Sequence, residues 1–393
     1  MKKFNRVLAL LLVLAMLAAA GCGGKGKTEE GQAGTGTETG SGAEGGTKDT
    51  LTIAQGADPV SLDPYGTTDT PAIRVASCIF ETLVTRDDNG EIAPGLAESW
   101  EIVDDTTYVF HLRQGVKFHN GEELKASDVA FSFSKIAESP HASSIRATID
   151  FENSKAVDDY TFEMKMTEPF GPILNHLGHA VMAIVNEKAY TEAGDAVGQN
   201  PVGTGPYKFV SWAASDRIVL EANQEYWGTA PVIPNVIWRT IPEVATRSIE
   251  VEAGGVDVAV DIQASDVERL ESKEGVEVFR EVASSINFIG LNTTKAPFDN
   301  VKVRQAIDLA TDKEAIYNVV YQGTGTIAEA PMSSVVWAYN DQLPKHEYNV
   351  EKAKELLAEA GYADGFKMTM TTDESQARQD TAEIVQSQLA AIG

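Results

Sequence analysis

Residues Val7–Gly21 form an uninterrupted apolar run of 15 residues behind the basic start Met-Lys-Lys-Phe-Asn-Arg. A helix that crosses a bilayer needs roughly 20 such residues, so the run has the length and flanks of an export-signal core. It ends in Ala19-Ala20-Gly21-Cys22, and from Gly23 to Asp49 no apolar side chain is larger than alanine. A Gly/Ser/Thr/Glu stretch of this kind buries too little surface to offset its chain entropy and reads as a flexible tether. The arrangement predicts a signal peptide over 1–21, Cys22 with a tether over 22–49, and a globular body over residues 51–393. No second apolar span follows.

At 393 residues the chain exceeds one ordinary core, and the body is expected to divide into lobes. With 43% hydrophobic and 23% charged residues it has the composition of a folded soluble protein. The formal charge is −26, and Lys2, Lys3 and Arg6 precede the apolar run, so the body is more acidic still. Nucleic acid and anionic lipid are bound by clustered cations, so no nucleic-acid partner is expected. Two cysteines, Cys22 and Cys78, support neither a disulfide framework nor a cysteine zinc site. With six histidines besides, no metal and no cofactor is expected.

Periodicity places a strand at Thr52–Gln55, a loop through Gly56–Ala72, and helical spacing from Ile73 to Val84. Strands are expected at Tyr108–Leu112, Phe162–Met166, Tyr207–Trp212, Ile218–Glu221, Val236–Ile241 and Val256–Val260. Ser127 reads as the N-cap of a helix that aligns Val129, Phe133 and Ile136, and a further helix is expected over Glu243–Glu252. Later, Asp299 caps a helix with Val303, Ile307 and Ala310. Thr311-Asp-Lys-Glu314 reads as a capping box opening a helix with Ile316, Val319 and Val320, which stops at Gly323. Asn349 caps a helix with Ala353, Leu356, Leu357 and Ala360 inward and Gly361 past its end. Ser375–Ile392 repeats at helical spacing. Strands and helices intermix without sequence repeats, which makes the chain α/β or α+β.

Few motifs offer chemistry. Ser132-Phe-Ser-Lys135 has the S-x-x-K spacing of exported serine hydrolases, but no Ser-Asp-Asn or Lys-Thr-Gly accompanies it. His176-Leu-Gly-His179 lacks the glutamate of a zincin helix, and Gly178 weakens a helix there. Gly203-Thr-Gly-Pro-Tyr207 leads into a strand, and Pro206 removes an amide donor, so it makes a poor phosphate cradle. Nothing assembles a nucleophile, base and oxyanion donors, so the chain reads as no enzyme.

Two resemblances organise these readings. Ala19-Ala20-Gly21-Cys22 resembles the lipobox of bacterial lipoproteins, with alanine where Leu, Val or Ile is usual three positions before the cysteine. Lipidation is thereby implied on Cys22, with the body held by a lipid anchor on the extracytoplasmic face of the cell membrane. The body itself resembles the family 5 extracellular solute-binding proteins, the peptide- and nickel-binding components of ABC importers. The segments that carry this are Ser61–Tyr65, Phe80–Glu101, Tyr108–Phe133, Asn200–Phe209, Asn292–Ile316 and Tyr348–Tyr362, in order. The resemblance implies an α/β, two-lobed, type II periplasmic-binding-protein clamshell. Lobe one would comprise 51–80 and 201–284, an inserted subdomain 81–200, and a partial lobe two 285–393.

It further implies a monomer that captures a small peptide between lobes by backbone strand addition and delivers it to the ABC permease subunits. Two segments match the positions that do this. One is the loop Gly66–Thr70, with Thr67, Thr68 and Thr70; the other is a strand Ser285–Ile289, with Ser285 and Asn287. Trp337 and Tyr339 are candidates for side-chain pockets. The family's aspartate that pairs with the peptide ammonium belongs beyond the helix ending at Ile392, so lobe two is expected to be incomplete. Nickel-chelate, glutathione and oligosaccharide binding remain open within the family, and an exported serine hydrolase or a purely structural lipoprotein outside it.

Replacing Cys22 with alanine is expected to move the protein from the membrane to the soluble fraction of fractionated cells. Unchanged retention would count against the anchor.

Overall fold

The computed structural model describes residues 48–393 except 88, 337–338 and 374. The stretches expected as signal peptide and tether through Thr47, with Cys22, and the pocket candidate Trp337 lie outside the described residues. The first described residues are Lys48, which pairs with Asp257, and Asp49, whose carbonyl accepts from the Asn235 N–H at 3.2 Å. These two residues, assigned to the tether by composition, are tied to a sheet just ahead of the strand that starts at Thr50.

That sheet has five strands in the order β11-β1-β10-β9-β8. Strand β1 (Thr50–Gln55) runs parallel to β10 (Asn235–Thr240) and to the short β11 (Val258–Ala259). The hairpin of β8 (Tyr207–Ala213) and β9 (Arg217–Ala222) extends it antiparallel. A small ribbon joins β2 (Val84–Arg86) to β3 (Ile92–Pro94). A second sheet, four strands in the order β4-β5-β7-β6, is antiparallel throughout. It comprises β4 (Ala97–Asp104), β5 (Thr107–Leu112), β6 (Ile149–Ala156) and β7 (Thr161–Met166). Alternation along β7 turns Phe162, Met164 and Met166 inward.

The helices are α1 (Thr70–Ile79), α2 (Ala126–Glu138), α3 (Ser143–Arg146), α4 (Ile173–Leu177), α5 (Glu187–Ala193) and α6 (Val244–Ala253). They continue with α7 (Ala264–Glu271), α8 (Val301–Ala310), α9 (Lys313–Val319), α10 (Val350–Glu359) and α11 (Gln376–Leu389). Helix α2 buries Val129, Phe133 and Ile136 against the second sheet, with the Phe133 ring 4.7 Å from that of Phe162. One apolar cluster runs from Leu62 through both sheets to Trp238. A separate cluster is built from α8, α10 and the chain's last turn: Val303, Ala306, Ile307, Ala310, Ala353, Leu357 and Ile392.

Several boundaries differ from the sequence expectations, each for a local reason. Helix α1 ends at Ile79 instead of running to Val84, because Phe80 turns extended. Ser127 lies inside α2; the cap is Lys125, whose N–H is taken by Asp128 at 3.0 Å, so a carboxylate three residues on does the work assigned to the serine. Asn300, not Asp299, caps α8, and Asp312, not Thr311, caps α9. Val319 faces solvent, 65% exposed, so α9 buries no full side chain. The strand expected over Val256–Val260 shortens to Val258–Ala259. The strand expected at Ser285–Ile289 is absent: the residues pair with no neighbour and lie mostly exposed. Asn349, Gly361 and the inward residues of α10 stand where periodicity puts them, and α11 falls within Ser375–Ile392.

The chain leaves the first sheet at Ile79–Glu81 and returns at Gly203–Tyr207, and the two passages touch. The Gly205 N–H donates to the Ile79 carbonyl at 2.8 Å. A Cβ on Gly203 would stand 2.0 Å from that carbonyl, and one on Gly205 would stand 2.6 Å from the Cys78 carbonyl. Glycine is required here by space, not by φ. The half-buried Glu81 carboxylate closes the crossing, accepting from the Thr204 and Tyr226 hydroxyls and the Trp227 indole N–H, each at 2.8 Å. Burial raises its pKa, and these three donors pull it back down. His119 completes the joint: Nδ1 accepts from the Gly203 N–H at 3.4 Å, so Nε2 carries the proton and donates to the Gly205 carbonyl at 3.0 Å. Burial pushes the His119 pKa down to about 4, which keeps the ring neutral.

Gly203→Ala should lower stability in urea denaturation by about 2 kcal/mol, since backbone must move to admit the methyl. Gly171→Ala, where nothing stands within 4 Å, should change it by less than about 0.5 kcal/mol.

Candidate functional site

The loop ahead of α1 is built by its own short polar side chains. Asp63 accepts from the Tyr65 N–H at 3.0 Å, and the Gly66 N–H returns to the Asp63 carbonyl at 3.1 Å. Thr67 Oγ1 accepts the Asp69 N–H at 3.1 Å and donates to its carboxylate. Asp69 then caps α1 by accepting from the Ala72 N–H at 3.0 Å, with Pro71 in the first turn, where a missing N–H costs nothing. Thr67 is thus spent on the cap. Thr68 and Thr70 are exposed, and their hydroxyls make no hydrogen bond among the described residues. Nor do the backbone N–H and C=O groups of Thr67 and Thr68, so the turn presents unpaired polar backbone in a fixed shape.

The second segment offers the same chemistry. Residues 285–289 are extended by pattern yet carry no backbone hydrogen bond among the described residues. Asn287 is held at its side chain, donating to the Tyr321 hydroxyl at 3.3 Å and accepting from Arg378 Nε at 3.4 Å. Phe288 is 79% exposed beside it. Ser285 is exposed, and nearby Ser333 donates to the Ala283 carbonyl at 2.6 Å. A β-patterned run without a partner strand is an edge able to accept one. No hydrogen bond joins this segment to the Gly66–Thr70 turn. Tyr339 is half-buried, its N–H on the Val336 carbonyl at 3.1 Å.

The other motifs resolve into structure. Ser132 is fully buried, and its Oγ accepts from the Val185 N–H at 3.0 Å, while Lys135 pairs on the surface with Glu138 at 3.0 Å. The serine is thus a core hydrogen-bond acceptor, placed away from solvent. His176 packs on Phe170 with ring centroids 4.9 Å apart, and His179 accepts from the Val181 N–H at 3.2 Å to start a short turn. Among the described residues no group of three His, Cys, Asp or Glu is placed to hold a metal, and no helix is long and apolar enough to cross a membrane. Cys78 is half-buried and burial raises its thiol pKa to about 11.

What sequence reasoning missed is a pair of arginines below the first turn. Arg74 on α1 grips Asp261 with both guanidinium nitrogens, at 2.7 and 2.8 Å. Arg247, buried on α6, donates to the carbonyls of Ile241, Pro242, Val260 and Asp261 at 2.7–3.1 Å. Nothing in their sequence spacing announces either contact.

Residues 91–393 match the family model described as bacterial extracellular solute-binding proteins, family 5 Middle. The heme-binding protein A of Haemophilus influenzae is 35% identical over 301 residues, 70% of this chain and 55% of its own length. The glutathione-binding protein GsiB of Pectobacterium atrosepticum is 32% identical over 346 residues, 87% of this chain and 67% of its own. The chain therefore spans 55% and 67% of the length of these two relatives. Among solved structures, the periplasmic binding protein DppA from Helicobacter pylori, in complex with the peptide STSA, superposes with a TM-score of 0.79. It is 34% identical, over 88% of this chain and 72% of that one.

Asp69→Ala should cost about 1 kcal/mol in urea denaturation through loss of the cap. Thr68→Ala, which removes no hydrogen bond, should leave stability within about 0.5 kcal/mol.

Proposed function

The chain belongs to the bacterial extracellular solute-binding proteins, family 5, and from that premise we propose that it is the capture component of an ABC importer for short peptides. Its α/β fold is that of the type II periplasmic binding proteins. The observation that carries the peptide reading is the likeness, along most of this chain, to a binding protein solved with a bound peptide. Two runs whose backbone is unpaired among the described residues, at Thr67–Thr68 and at Ser285–Ile289, support it. Peptide recognised through its own backbone gains affinity without demanding particular side chains. A micromolar dissociation constant corresponds to roughly −8 kcal/mol, within reach of a few net hydrogen bonds of about 1 kcal/mol each plus apolar burial.

On this reading residues 51–80 and 201–284 form lobe one, 81–200 its inserted subdomain, and 285–393 part of lobe two. Ligand binds between the lobes and is passed to permease subunits, and no covalent chemistry is performed. Lipidation at Cys22 keeps the monomeric body at the outer face of the cell membrane. Glutathione is the second reading, favoured by the relative named for binding it, and it too carries peptide-type amides.

Calorimetric titration with trialanine, its N-methyl and N-acetyl forms, side-chain variants, glutathione, hemin and nickel–histidine tests the assignment. The peptide reading expects loss of binding on N-methylation of a backbone amide and on N-acetylation, and little change on side-chain exchange. Binding of hemin or nickel–histidine alone, or dominance of side-chain identity, would overturn it.

A further inference from the structure

The Arg74–Asp261 pair sits at a mechanical junction. Asp261 lies just past β11 with φ +57, a left-handed conformation uncommon outside glycine but tolerated by Asp and Asn. Its carbonyl accepts from Arg247 Nη2 at 3.0 Å, and the preceding Val260 carbonyl accepts from Arg247 Nε at 3.1 Å. The Val260 N–H donates to the Ala54 carbonyl at 3.0 Å, so the exit from the sheet is tied to β1 as well. Gly56 leaves room for this: a Cβ there would stand 3.1 Å from Arg247 Nη1. Arg247 is 95% shielded from solvent, with 5% exposure, and its side-chain partners are carbonyls only, so Asp261 and Glu243 supply its counter-charge. Asp261 thus serves two guanidinium groups, one by a forked pair of hydrogen bonds and one by proximity.

From this junction the chain runs through α7 into the unpaired segment that carries Ser285 and Asn287. Arg74 lies one turn into α1, the helix whose cap turn carries Thr67, Thr68 and Thr70. We propose that Arg74 and Asp261 are positioning residues that lock the cap turn to the chain's exit from the first sheet, and so set the relation between the two ligand-binding segments. The ligand part of this proposal rests on the peptide reading above; the mechanical part does not. Arg74 and Asp261 are 27% and 55% exposed at their side chains, and such a pair contributes little to global stability. Its effect is therefore local, and local readouts test it.

The experiment is a double-mutant cycle on the full chain with Arg74→Gln, Asp261→Asn and their combination, and with Arg74→Lys as the conservative variant. Asp261→Asn keeps the left-handed preference while removing the charge, so backbone strain is not confounded with the lost pair. Amide hydrogen exchange over residues 66–73 and 258–263 is read by mass spectrometry, alongside urea midpoints and trialanine titration. Arg74→Gln should speed exchange in both stretches by about 3–10-fold with an unchanged midpoint; Asp261→Asn, which also withdraws counter-charge from Arg247, should do at least as much, and the double variant should be no worse than Asp261→Asn alone. Arg74→Lys should recover part of the protection. Trialanine affinity should fall about 5-fold in the variants.

Unchanged exchange in the single variants, or additive effects in the double, would overturn the lock. Faster exchange with unaltered trialanine affinity would overturn its role in positioning. Binding of hemin or nickel–histidine in place of trialanine by the unmodified chain would overturn the peptide reading instead, and the exchange cycle would still decide the lock.

Discussion

The excursion of the chain from Glu81 to Pro201 starts and ends at one crossing. The outgoing backbone at Ile79 and the returning backbone at Gly205 share a hydrogen bond of 2.8 Å, and no side chain fits between them. Two polar groups then satisfy what the close approach leaves over. Glu81 accepts from Thr204, Tyr226 and Trp227, and His119 bridges both glycines as a neutral ring. Arg113 lies over the Trp227 ring at 4.7 Å, adding a cation near the carboxylate. A carboxylate that loses water is costly unless donors replace it, so this joint has a single low-energy arrangement. The four-stranded sheet is thereby held to the five-stranded one through a short, fully bonded neck and a shared apolar cluster.

The candidate site follows the opposite rule. Buried backbone needs partners in the fold, whereas the backbone of Thr67, Thr68 and residues 285–289 makes no hydrogen bond among the described residues. Thr67 shows how such a turn holds its shape without a sheet, since its hydroxyl works for Asp69, and Asp69 works for α1. Asn287 is likewise steadied by its side chain and leaves its backbone free. Groups fixed in place but not yet satisfied are what an incoming backbone can complete at low entropic cost.

Much of the framework was legible because it depends on local pattern. The alternation of Phe162, Met164 and Met166, the helical spacing of Val129, Phe133 and Ile136, and the Asn349 cap with Gly361 all encode themselves within a few residues. Cap identity was less legible where two candidates stood side by side. Asp299 and Asn300, or Thr311 and Asp312, differ in which residue first takes helical φ and ψ, and packing of the preceding turn settles that. Ser127 lost to Lys125 because Asp128 reached back to the backbone. At the Gly66–Thr70 turn, whose small polar residues are plain in the sequence, the use of Thr67 to brace the Asp69 cap was not legible.

By itself, the sequence determined a 15-residue apolar run ahead of a stretch of small residues, an acidic body without clustered cations, and the period of most helices and strands. Tertiary structure alone decided which distant residues meet. Ser285–Ile289 has the composition of a strand, yet a strand exists only when another chain segment accepts its hydrogen bonds, and none of the described residues does. Gly203 looked like a loop residue until the Ile79 carbonyl was found where its Cβ would be. Arg74 and Asp261 are separated by 187 positions, and a forked ion pair at that separation leaves no periodic trace in sequence. Local order is written in neighbouring side chains; the joints between segments are written in three-dimensional proximity, which pattern alone does not encode.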